Sequence, residues 1–155
     1  MVALFEVHAA SKDLRALARN GPGTPHGLMA TEVPTIQAVA AGLVRQADDH
    51  ALDDEAAVVQ WSRSAAPFEH ASKLEPYVGS VSEMGPALLA YLRMRCGADA
   101  IEPDLRVRDA LNTFGFRVPN DPHAILVVAH AAADALEVPL LVLDQLLWWS
   151  TPPKP

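Results

Sequence analysis

Prolines punctuate this chain at the starts of its apolar stretches. Pro34, Pro67, Pro103, Pro122 and Pro139 each stand at the head of such a stretch, and none lies in the middle of one. Proline fixes φ and lacks a backbone N–H, so it suits the first turn of a helix and breaks a helix interior or an inner strand. A chain written this way reads as short helices, each started afresh. Ala and Leu are abundant and aromatics make up 6% of the residues, which favours helices packed on helices. The expected fold class is therefore all-α, a compact multi-helix domain.

The helical periods can be followed along the chain. A first element is expected over 4–19, stopped by Asn20-Gly21-Pro22-Gly23-Thr24-Pro25-His26-Gly27. Thr31 is placed to cap a second helix, in which Ile36, Val39, Ala40, Leu43, Val44 and Ala47 recur at i, i+3, i+4 and i+7. Asp53, Asp54 and Glu55 open a third, carried by Val58, Val59 and Trp61 to about residue 65. Pro67 starts a fourth over 68–77, and a turn over 78–86 leads into a fifth ending near Gly97. Pro103 and Asp104 open a sixth with Gly115 as its C-terminal stop. Asn120-Asp121-Pro122 opens a seventh over 124–136, whose small residues predict close packing on all sides. The last helix is expected over 140–149. Val138 to Leu143 could pass for a buried strand, but Asp144-Gln145-Leu146-Leu147-Trp148 extends a helical period. The expected organisation is one domain over 1–155, with N-terminal helices to 66, a core over 67–150 and a disordered proline-rich tail at 151–155.

Composition bounds what such a domain can do. Half of the 155 residues are hydrophobic, enough for a sizeable core, and the formal net charge is −7. An acidic chain is a poor general nucleic-acid sleeve, so any DNA contact must be local. The single cysteine, Cys96, allows no internal disulfide and reads as a small buried hydrophobe. With no basic leader followed by an apolar run, and no uninterrupted apolar stretch of spanning length, the expectation is a cytoplasmic protein without membrane contact. Walker, nucleophile-elbow and zinc motifs are absent from the sequence. The six histidines stand apart; His123 and His130 are two helical turns from each other, too far to share an ion. No metal or cofactor is expected.

One stretch carries a more specific pattern. Ser82-Glu83-Met84-Gly85-Pro86-Ala87 is a glycine-bearing turn before an apolar helix, and the loop Gly97 to Ile101 then leads to Asp104-Leu105-Arg106-Val107. This order resembles the centre of the helix-hairpin-helix DNA glycosylases, where a hairpin of the type P-G-V-G-x-K/S-T-A precedes an apolar helix and a D-x-H-V motif. The ending from Val138-Pro139 to Trp148 is similar to the closing helix of some members. The resemblance implies the helix-hairpin-helix glycosylase fold in reduced form. It further implies a DNA-binding hairpin at Ser82, Met84, Gly85 and Ala87, whose backbone N–H groups meet a phosphate. Asp104 is implied as the catalytic carboxylate beside a flipped base. Ala87 stands where lyase-type members carry lysine, which implies a monofunctional N-glycosylase, and no cysteine cluster follows to hold an iron–sulfur centre.

The same residues allow other readings. Asp104 after Pro103 suffices as a helix cap. Arg106 and Arg108 either face DNA or, with Arg93 and Arg95, pair with Glu83, Asp99, Glu102 and Asp109. Trp148 and Trp149 are expected in the core. The alternative function is a catalytically inactive relative that binds a protein partner or a small ligand.

Overall fold

The computed structural model describes residues 14–22 and 32–150. The expected start of the first helix, the cap at Thr31, most of the glycine–proline loop and the tail at 151–155 fall outside the described residues. Within them the chain is all-α, and no strand occurs among the described residues. The helices are α1 Leu14–Asn20, α2 Glu32–Asp49, α3 Asp54–Ser64, α4 Pro86–Arg95, α5 Leu105–Thr113, α6 Pro122–Leu136 and α7 Leu140–Ser150.

Their ends follow from side chains that satisfy the free N–H groups of a first turn. Asp53 accepts from the Ala56 N–H, Asp104 from Val107 and Asp121 from Ala124. The C-terminal carbonyls of α1 are met by Gln37 of α2, whose Nε2 donates to Ala18 O at 3.1 Å and Arg19 O at 3.0 Å.

Residues 68–77 do not form the expected fourth helix. Two 3-10 turns, Ala66–Phe68 and Ser72–Leu74, take its place. The cause lies in Glu75, whose buried carboxylate accepts the N–H groups of Tyr77 (3.2 Å), Val78 (2.6 Å) and Gly79 (2.7 Å). A side chain that gathers three backbone donors offers the chain an alternative to helix. The resulting knot docks on α2 where Gly42 stands, because a Cβ there would lie 2.1 Å from the Tyr77 carbonyl oxygen.

Two separate apolar clusters form. The first gathers Leu14, Ile36, Leu43, Trp61, Met84 and Leu89 from α1 to α4. The second gathers Ile101, Val107, Leu111, Ile125, Leu126, Leu143 and Leu147 from α5 to α7. The division falls at 96–101 and not near 67, so the segment 67–95 belongs with the N-terminal helices. Helix α6 is not packed on all sides: Ile125, Leu126, Ala129 and Ala133 face inward, while Val127 is exposed.

Candidate functional site

The loop between the two clusters is held down by acids at both ends of its path. Asp99 accepts the Leu141 N–H of α7 at 2.8 Å, and the Glu102 N–H donates to Asp144 Oδ1 at 3.4 Å. Pro103 then leads to Asp104, which takes the extended conformation of a helix cap (φ −102°, ψ 176°) and uses Oδ1 on the Val107 N–H at 2.8 Å. Its second oxygen, Oδ2, remains for other partners.

Arg106 gathers the cluster. Its Nε lies 3.7 Å from Asp104 Oδ2 and its Nη2 lies 3.5 Å from Asp144 Oδ1. Those separations are long for charge-assisted hydrogen bonds, so the attraction is coulombic more than directional. The guanidinium carbon sits 4.4 Å from the centre of the Trp148 ring, a cation–π position, and Nη1 is buried with no hydrogen-bond partner. Two carboxylates, one guanidinium and one indole thus meet at the base of α5, with the Glu102 carboxyl within reach of their charges.

Their electrostatics split the acids. Burial pushes the Glu102 carboxyl up to about 7; the charge of Asp104 adds to this, with a smaller push from Asp144, and Arg106 opposes it. Asp144 is 3% exposed, and burial raises it as well, against the attraction of Arg106. A carboxyl that keeps its proton near neutrality beside a carboxylate neighbour is the pairing from which acid–base chemistry is built.

The other expected site residues lie elsewhere. Gly85 precedes α4 and caps it with extended backbone and no side-chain bond. That ten-residue helix is about 15 Å long, and Asp104 follows nine residues beyond its last residue, Arg95. Ser82 and Glu83 are exposed, with Glu83 at φ +66°, and Ala87 is half-buried. The Met84 side chain is fully buried in the first cluster, and its backbone N–H donates to the Val81 carbonyl at 3.2 Å. The residues before this turn form 3-10 structure, so a short turn, not an α-helix, leads into the hairpin segment. Arg108 pairs with Asp109 at 2.6 Å. Arg93 is buried and donates from Nε to the Ser62 carbonyl at 2.9 Å.

The sequence reading missed Glu102 and Asp144 as parts of the site and placed both tryptophans in the core. Trp148 is 51% exposed and Trp149 80%. A signal was present: Asp144 is the only charged residue in the apolar run of α7. An acid on the buried face of an apolar helix requires a partner.

Among the described residues, no single helix is long and apolar enough to cross a membrane, and no group of three or more His, Cys, Asp or Glu side chains is placed to hold a metal ion. Comparison with protein-family models, with curated proteins and with solved structures finds no match.

Proposed function

We propose that this chain is a DNA-repair protein of the base-excision kind, a reduced relative of the helix-hairpin-helix glycosylases, acting as a monofunctional N-glycosylase. The observation that carries the reading is the gathering of Asp104 and Asp144 around Arg106 beside the half-exposed Trp148, with burial pushing the neighbouring Glu102 carboxyl up to about 7. Cleaving a glycosidic bond builds positive charge on the sugar and negative charge on the departing base. Asp104 Oδ2 supplies the carboxylate that stabilises the sugar cation. Glu102 supplies the proton that the base takes with it as it leaves. Water adds to the anomeric carbon, its proton passing to solvent. Trp148, partly covered by Arg106, offers a ring edge and face against which a flipped base stacks.

A second reading is favoured by the pairing of Arg106 with Asp104 and Asp144 and of Arg108 with Asp109. These cations are engaged within the chain and are not free to meet phosphates. In that reading the protein is a catalytically inactive relative that binds a protein partner.

Base release from duplexes carrying deaminated, oxidised or alkylated bases decides between them. Asp104→Asn keeps the cap and folds normally, while removal of the charge cuts base release about 100-fold or more. Asp104→Ala loses the cap as well and costs about 0.5–2 kcal/mol of stability in thermal melts. Full activity in Asp104→Asn would remove this residue from the chemistry. No release by the wild type, and no DNA binding at low salt, would leave the partner-binding reading in front.

A further inference from the structure

His70 and His123 meet where the two halves of the molecule touch. The Nδ1 atoms are 3.2 Å apart, with the rings stacked at 29° and their centres 5.4 Å from each other. At this distance the two nitrogens share a hydrogen bond, and two donors on one tetrahedral ion, with nitrogen bonds of about 2.0–2.1 Å, stand roughly 3.3 Å apart, so an ion could replace the shared proton with little movement. The outer nitrogen of His70, Nε2, lies 3.8 Å from Glu69 Oε1. That separation is too long for a hydrogen bond, and a closing of about 1 Å would bring the carboxylate to the position that orients metal-bound imidazoles. The same oxygen lies 3.0 Å from His130 Nε2 of α6, close to it but without a hydrogen bond between them. His130 stands two helical turns from His123 along α6. The partner of His123 instead comes from 53 residues away.

We propose that His70 and His123 form a two-histidine site for a divalent transition-metal ion of the Zn²⁺ class, with Glu69 as the orienting carboxylate. Water completes the coordination, since no third side chain among the described residues joins the pair. Both histidines are exposed, so the ion enters from solvent without opening the fold. The bound ion would tie the 3-10 segment of the first half to α6 of the second.

Calorimetric titration of the full chain with Zn²⁺ tests this. Wild type and His50→Ala, which alters a histidine outside the cluster, take up one ion at this site. His70→Ala and His123→Ala weaken that uptake at least about tenfold, and Glu69→Gln weakens it by about tenfold. His70→Gln and circular dichroism of each variant separate loss of a ligand from loss of fold. The proposal is overturned if the wild type shows no saturable uptake, or if uptake survives unchanged in both His70→Ala and His123→Ala while those variants remain folded.

Discussion

Glu102 ties stability to pH in the direction opposite to most carboxylates. Its ordinary value is 4.5, and in the folded chain burial holds it at about 7. Between those values the unfolded chain has lost the proton and the folded chain still holds it. Stability is then fully present below the lower value, falls as pH rises through the interval, and is level above it. Asp144, also raised, acts in the same sense. Thermal melts from about pH 5 to about pH 8 should show the wild type losing stability, with Glu102→Gln flatter and more stable than wild type at the alkaline end. A wild-type profile that is flat across this interval would mean that Glu102 is not held protonated. At this scale the sequence was readable where the chemistry is local. Asp104 reads as a cap because Pro103 precedes it and an apolar period follows. Glu102 and Asp144 meet across 42 residues, and no spacing rule reports such a meeting. The tryptophans were misplaced because the buried face of α7 is Leu140, Leu143, Asp144 and Leu147. With an acid holding an inner position, Trp148 and Trp149 turn outward.

Helices were the most legible elements, because prolines and capping acids mark their starts and apolar periods mark their inner faces. The segment after Pro67 was not legible, since its outcome depends on the Glu75 carboxylate competing for backbone donors. Propensity over 68–77 says nothing about that competition. The knot it builds makes a sharp demand on its neighbour. At Gly42 any Cβ would meet the Tyr77 carbonyl oxygen at 2.1 Å, and the obstacle is backbone, which cannot swing aside. Gly42→Ala improves helix propensity, yet we expect it to cost about 1–3 kcal/mol in urea melts, because the knot must lift from α2. A neutral or stabilising result would show that the knot does not rest on that helix as described.

Across the whole molecule, the separation of the two apolar clusters reaches beyond the site. The chain between them, 96–104, is held by polar bonds, and the seam is lined by Glu69, His70, His123 and His130 in place of shared apolar packing. Each half therefore carries its own hydrophobic drive, and little of that drive crosses the boundary. Cooperativity between the halves should be weak. Trp61 reports on the first cluster and Trp148 with Trp149 on the second, so tryptophan-to-phenylalanine variants can isolate each signal. Denaturant unfolding should then give two curves that do not coincide, with a half-folded species populated between them. Coincident curves would show that the seam transmits unfolding as one event. A half-folded species would also give the site a state of its own. Asp104, Arg106 and Trp148 sit within the second half, and the loop that carries Glu102 is anchored there too, through Asp99 on the Leu141 N–H and the Glu102 N–H on Asp144. Loosening of the first half would therefore leave the site assembled, so activity should survive a first transition confined to that half and be lost only with the second.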